Sequence, residues 1–386
     1  MKIAILHSYY SSDSPSGENI TVDAQAAALL NRGHTVKVLG RYTDSESSRA
    51  LYPLKAAAAA SGISGPSPLS DLREFNPDVT HVHNLFPNWG SRWMRDWNGP
   101  IIATMHNYRP LCANSILWRD GHDCTECLDF GSRSALRHKC YRNSSLATAP
   151  LAFASRARGK HSDVLNNVQA LITLNSQAAK VFQTIRPTVP IQVVPNFSPA
   201  KPSMNNPMPD GFTYVGRITQ EKGLIWLLER WPQGQKLRVV GTGPLEQEVK
   251  EVISRRRLTA VVMLGLLDTT EVIRHIRDSY GLLLPSLWSE GLPTVALEAL
   301  SVGTPLLVSN ACSAAKELTT DGAGMTYSPQ TTEAHDVESM LAELQTNQGT
   351  YRQCAGKLYC ARYSESAWIE NVEEIYNMAI AARKNN

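Results

Sequence analysis

The sequence predicts an α/β protein with two parallel sheets, and three observations predict it. Short apolar runs of strand length alternate with helical patterns through the first half. The alternation halts at a polar, proline-containing stretch, Lys201 to Gly211, and restarts at Phe212. Most runs are apolar throughout rather than alternating, as expected for parallel strands covered on both faces. A chain of 386 residues supplies enough apolar surface for two cores. The expected units are 1–200, 201–365 and a C-terminal helix over 366–386.

Lys2 to Leu6 reads as the first strand, Val22 to Asn31 as a helix closed by Gly33, and Thr35 to Leu39 as the second strand. Gly17, in the segment SPSGENIT after the first strand, falls at a strand's carboxyl end, where open α/β sheets bind ligands. Turn glycines also serve backbone geometry alone. A helix is expected around Leu54 to Ala60. Val79 to Val82 and Ile101 to Met105 are strands that end in His83-Asn84 and His106-Asn107. His106 follows a buried type of strand and precedes a polar loop, so it is a candidate for function as well as for a structural role. Ala170 to Leu174 and Ile191 to Val194 complete the first set.

The second set is Phe212 to Val215, Lys236 to Val240, Val261 to Leu264, Gly281 to Leu284 and Leu306 to Ser309. Gly216-Arg217 follows the first of these strands and Lys222-Gly223 opens the next helix, so a guanidinium and an ammonium flank one connection. Two cations there suit a diphosphate; on a bare loop they are ordinary surface charges. Gly241-Thr-Gly243 forms a second turn, suited either to phosphate or to tight packing. From Ser366 to Ala382 the apolar residues Trp368, Ile369, Val372, Ile375 and Tyr376 recur at helical spacing, so that helix needs a partner.

The most informative stretch is LLLPSLWSEGLPTVALEALSVG, Leu282 to Gly303. A buried strand gives way to a loop and then to a helix opened by Pro293, whose missing N–H costs nothing in a first turn. The free backbone N–H groups around Leu292, Thr294 and Val295, Pro293 itself having none, lie at the helix start, where an anion such as phosphate is favoured. Glu290 and Glu298 would repel that anion at close range, so hydroxyls of a sugar and a ribose are the partners they suit. The site then reads as one for a nucleotide sugar. A glutamate near a helix start and another on a solvated face also need no ligand.

Net charge is +3, which gives no argument for nucleic acid, and no run approaches the roughly 20 apolar residues of a membrane span. The N-terminus reads as a strand, not a signal peptide, so a cytoplasmic location is expected. Between Phe130 and Ser162 there is no Asp or Glu, while Arg133, Arg137, Lys139, Arg142, Arg156, Arg158 and Lys160 fall within it beside Leu146, Leu151 and Phe153. Such a segment suits peripheral contact with an anionic membrane at its inner face, or a solvated helix pair facing a phosphate-rich substrate.

Four of the seven cysteines, Cys112, Cys124, Cys127 and Cys140, lie within 29 residues. The two-residue gap in Cys124-Thr-Glu-Cys127 allows both thiolates to reach one tetrahedral ion, and the other two could complete a structural zinc site. A redox-sensitive disulfide and free thiols are the alternatives.

These segments together resemble family 4 of the retaining glycosyltransferases. The specific matches are YVGRITQEKGL at Tyr214 to Leu224 and PSLWSEGLPTVALEALSVGTP at Pro285 to Pro305, with seven residues between Glu290 and Glu298. SGENI, GHTVKVL, THVHN and TMHNYRPLC look like segments of the same family, and RDGHDCTEC looks like a subset from surface-polysaccharide pathways. The resemblance implies the GT-B fold, two Rossmann-like domains facing across a cleft, with a C-terminal helix that returns to the first. It implies that Arg217 and Lys222, next to Gly216, bind the donor diphosphate. Glu290 would meet hexose hydroxyls, Glu298 the ribose diol, and Gly17 the diphosphate through its N–H. His106 matches the histidine near the transferred sugar, and Leu292 to Val295 would cradle phosphate and sugar. The implied reaction moves a hexosyl group from a nucleoside diphosphate sugar to a sugar or lipid-linked sugar acceptor, with no metal or other cofactor required for catalysis. A catalytically silent nucleotide-sugar-binding subunit is the alternative. The chain departs from the family pattern at Ser16-Gly17 and at Ala314-Ala315-Lys316 before Glu317.

Overall fold

The computed structural model describes residues 1–10, 17–48, 51–199 and 208–384. Two compact units are present: one of Met1–Arg119, Asp123–Pro195 and Ile369–Asn386, the other of Asp120–His122 and Asn196–Trp368. Ser16 and most of the Lys201 to Gly211 boundary stretch lie outside the described residues.

The strands, in chain order, are β1 (Lys2–Tyr9), β2 (Thr35–Tyr42), β3 (Val79–Asn84), β4 (Ile101–Met105), β5 (Trp118–Arg119), β6 (His122–Asp123), β7 (Ala170–Thr173), β8 (Ile191–Val193), β9 (Phe212–Val215), β10 (Leu237–Val240), β11 (Val261–Gly265), β12 (Leu282–Leu284), β13 (Leu306–Ser309) and β14 (Gly324–Tyr327). The first unit holds a six-stranded parallel sheet in the order β2-β1-β3-β4-β7-β8. The second holds another, in the order β11-β10-β9-β12-β13-β14. Short apolar runs form these strands because both faces are covered: every residue of β3, β4, β7, β12 and β13 is buried.

In each sheet the strand order reverses once, between β1 and β3 and between β9 and β12. Ligands of open α/β sheets bind outside the carboxyl ends of the strands at such a point. In the first sheet the register slips there, with Leu6 opposite Val82 but His7 opposite Asn84. His83 is therefore the extra residue of a β-bulge, a device that re-aims a side chain near a site.

Each sheet has its own core. Leu6, Val82, Ile101, Leu171 and Phe182 centre the first, and Phe212, Leu237, Leu283, Leu307 and the wholly buried Trp231 the second. The apolar face of the helix Glu365–Lys384 finds its partner within the first unit: Tyr376 O–H shares a 2.8 Å hydrogen bond with His81 Nδ1, and Glu373 accepts from His34 at 2.8 Å. Trp368 instead packs against Phe197 at 5.4 Å.

Four elements differ from the sequence expectation. The first helix begins at Gly17, five residues before Val22, because Asn19 and Thr21 are buried in spite of their polarity and break the apolar period. β14 and the β5–β6 hairpin are too short and too polar to show in the pattern. Pro293 is the residue before the helix Thr294–Ser301, not inside its first turn; its φ of −65° suits either place, and its extended ψ of 121° sets the helix start one residue later.

Candidate active site

The switch point of the second sheet gathers most of the expected residues. Gly216 and Arg217 leave β9, and Pro285 and Ser286 leave β12. The Lys222 ammonium forms an ion pair with Glu290 Oε1, and Ser286 Oγ donates to Glu290 Oε2 at 2.7 Å. Both partners are largely buried, the side chains 20% and 12% exposed. Arg217 is different: its side chain is 74% exposed, and its only ion pair among the described residues is a loose one, 3.6 Å, to Glu221. The guanidinium is thus held near the pair but open to solvent.

Backbone packing fixes this loop. Gly223 has φ +71°, and a Cβ there would overlap the carbonyl oxygen of Pro285. The Leu287 N–H donates to Glu221 O at 2.8 Å, tying the Lys222 turn to the loop after β12. Gly241 and Gly243 leave no room for a Cβ against the carbonyls of Gly216 and Ile218, so this second glycine turn serves packing beneath the Arg217 loop.

The helix Thr294–Ser301 has no side chain capping its start, which leaves the Thr294 and Val295 amides without intrahelical partners. Leu292 and Pro293 are buried ahead of them, and Glu298 lies one turn inside, partly buried. Sequence reasoning missed the polar groups that frame Glu290. The Ser313 N–H donates to Glu290 O at 2.9 Å, and the Cys312 thiol points at the same oxygen. Ser313 Oγ and the indole N–H of Trp288 are buried with no hydrogen-bond partner among the described residues. The only signal in the sequence was their position just after a strand end.

In the first unit, Gly17 opens the helix Gly17–Asn31, its carbonyl accepting from Thr21 Oγ1 at 2.8 Å. His106 Nε2 and His83 Nδ1 are hydrogen-bonded at 2.9 Å, with rings stacked 5.3 Å apart. The His81 ring lies 4.1 Å from that of His83, and His81 Nε2 bonds to Thr104 Oγ1 at 2.7 Å. Burial pushes His106 down to about 4 and His81 to about 3, and it pushes His83 well below its ordinary value, so all three are neutral at pH 7. Beside them His7 Nε2 bonds to the Asn19 carbonyl oxygen at 3.0 Å, and its Nδ1 lies 4.0 Å from Glu18, whose carboxyl is raised by burial. A cavity of about 120 Å³ opens here, lined by His83, Asn84, Phe86, Met105, His106 and Arg109. Apart from the Arg109 guanidinium, these lining groups are apolar, amide or neutral imidazole, which suits a hydroxyl-bearing ligand portion.

The four cysteines of the expected clip lie within electrostatic reach of one another, since Cys112, Cys140 and Cys124 each act on Cys127. Among the described residues no group of three or more His, Cys, Asp and Glu side chains is placed to hold a metal ion. Cys112 and Cys127 are buried in separate apolar clusters, while Cys124 and Cys140 are half-buried and all four are free thiols. Burial, followed by the neighbouring thiols, pushes Cys127 up to about 12, so it packs as a neutral apolar side chain.

Two family profiles account for most of the sequence. One described as Glycosyltransferase Family 4 matches residues 15–198, and one described as Glycosyl transferases group 1 matches residues 209–346. The chain belongs to the family 4 glycosyltransferases. A protein of Salmonella typhimurium assigned to colanic acid biosynthesis as a glycosyltransferase is 31% identical over 149 residues, 36% of each chain. The curated relatives are matched over about a third of their length. Among solved structures, a sucrose-phosphate synthase of Thermosynechococcus elongatus superimposes with a TM-score of 0.67 at 15% identity, covering 99% of both chains. The HepE protein of Anabaena, solved in complex with UDP, gives 0.60 at 14% identity over 98% of this chain and 100% of its own. The chain therefore has the GT-B fold, with two Rossmann-like parallel-sheet domains.

Within that family frame, the glycine-rich turn replaced here by Ala314-Ala315-Lys316 is a short helix, Ala315–Leu318, carrying a half-buried Glu317.

Proposed function

We propose that this glycosyltransferase moves a hexosyl group from a nucleoside diphosphate sugar to an acceptor hydroxyl, with retention at the anomeric carbon, in surface-polysaccharide or glycolipid assembly. One observation carries the reading: the Lys222–Glu290 pair, anchored by Ser286, stands at the switch point of the second sheet beside an exposed Arg217 and an uncapped helix start. The UDP complex of the Anabaena neighbour supports a nucleotide donor, and the Salmonella relative supports a polysaccharide pathway.

The donor diphosphate takes Lys222 and Arg217 as counterions and the Thr294 and Val295 amides as hydrogen-bond donors. Lys222 exchanges part of its bond to Glu290 for a phosphate oxygen, which frees Glu290 to accept from a hexose hydroxyl. Glu298 accepts from the ribose diol. As the anomeric C–O bond breaks, its electron pair leaves with the diphosphate, where the two cations stabilise the charge. The acceptor oxygen attacks the same face, and its proton passes to the departing phosphate oxygen, so no protein nucleophile and no metal enters the scheme. The family resemblance assigns His106 and Gly17 to the same reaction.

The test is turnover of a donor panel against lipid and oligosaccharide acceptors, followed by mass spectrometry, with the anomeric configuration of the product read by NMR. A retained linkage formed by the wild type and lost in Lys222→Ala supports the proposal. Nucleotide-sugar binding without transfer or hydrolysis indicates a silent subunit instead.

A further inference from the structure

One surface of the first unit is not absorbed by glycosyl transfer. The helix Ser145–Ala154 packs against the helices Tyr52–Ala60 and Arg133–Arg137. It buries Thr148, Leu151 and Ala152 on its inner face. Its outer face turns Leu146, Ala149 and Phe153 to solvent, at positions i, i+3 and i+7, and Arg142 and Arg156 flank the helix in sequence. Leu146 is 86% exposed and Phe153 43%, and nearby Phe130 is 82% exposed.

Cations surround these apolar side chains. The Arg156 guanidinium lies 3.7 Å from the centre of the Phe153 ring and that of Arg142 lies 5.4 Å from Tyr141. Arg133, Arg137, Lys139, Arg158 and Lys160 are exposed, and no carboxylate pairs with any of these seven cations among the described residues. The acids that bound the segment are engaged elsewhere, Asp163 by Arg95 and Asp129 by the Thr125 hydroxyl.

We propose that this face docks the protein on an anionic lipid bilayer, with Leu146, Phe153 and Phe130 entering the headgroup boundary and the arginines and lysines resting on lipid phosphates. A charged surface alone would fit any polyanion. The exposed aliphatic and aromatic side chains in the middle of the cations favour lipid over nucleic acid, because only an interface offers them an apolar medium. The proposal is independent of the glycosyl-transfer reading, since its test requires no turnover.

Flotation of the full chain is measured with vesicles of phosphatidylcholine alone or mixed with phosphatidylglycerol. Binding to the mixed vesicles, weak binding to phosphatidylcholine, and loss of binding as salt rises are expected. Combined reversal in Arg133→Glu, Arg137→Glu and Lys139→Glu lowers affinity by about tenfold or more. Leu146→Ser with Phe153→Ser weakens binding severalfold and leaves its salt dependence in place. All five positions are exposed, and circular dichroism checks that each variant folds. Equal binding to both vesicle types, unchanged binding by the charge-reversed variant, or retention of heparin without retention of vesicles overturns the proposal.

Discussion

At the switch point of the second sheet the strand ends present an ammonium–carboxylate pair and an open guanidinium, Lys222, Glu290 and Arg217. At that of the first sheet they present His7 and His83, with His106 one strand further on, all pushed toward neutrality by burial. The two sheets have one plan, six parallel strands with a single reversal, and the same crevice position. What separates them is charge. A topology that sets the place of a site does not set its ligand; the side chains at the strand ends do. The crevice with the ion pair and the open guanidinium suits a diphosphate, and the one dominated by neutral imidazoles suits hydroxyls.

The contrast can be broken most severely at Lys222. Lys222→Ala should lower transfer by about 10²–10³-fold, the scale of losing one donor to a developing anion, when initial rates are compared at saturating acceptor. A smaller effect follows from acid. As pH falls below about 6.5 the unfolded chain binds protons that folded His81 and His106 refuse until about 3 and about 4. Stability of the first unit is therefore full near neutrality and falls between about pH 6.5 and 3, by on the order of a few kcal/mol. Hydrogen exchange corrected for intrinsic rates should show β3 and β4 losing protection before β9 and β12.

Two glycines sharpen the comparison at the level of the backbone. Gly223→Ala, with φ +71° and the Pro285 carbonyl in the way, should cost at least about 2 kcal/mol in urea unfolding of the second unit. Gly33→Ala, at φ +94° with nothing within 4 Å, should cost only about 1 kcal/mol. Last, Glu290→Gln keeps the Ser286 contact but removes the charge that holds Lys222, and should lower kcat/KM for the donor by about tenfold.

The strands of both sheets were legible because residues buried on two faces leave apolar runs, as in Leu282–Leu284 and Ile101–Met105. Helix starts were less so: Asn19 is polar by type yet buried, bonded to His7, and a hydropathy period cannot show that. Lys222 and Glu290 were each legible from their motifs, but not as a pair, since 68 residues separate them. The bond between His81 and Tyr376 spans 295 positions and leaves no local trace. The cysteine spacing is legible only in part: a two-residue gap permits convergence on an ion, and the thiols of Cys112, Cys124 and Cys140 do lie near Cys127, but spacing does not set the geometry of a site.

Equilibrium titration of UDP, GDP and ADP into the wild type, Lys222→Ala and Arg217→Ala goes straight to the point. Saturable binding of at least one nucleoside diphosphate, weakened about tenfold or more in each variant, is the predicted result. Binding of equal strength in all three proteins would place the diphosphate elsewhere and contradict the assignment of the second sheet's charged crevice.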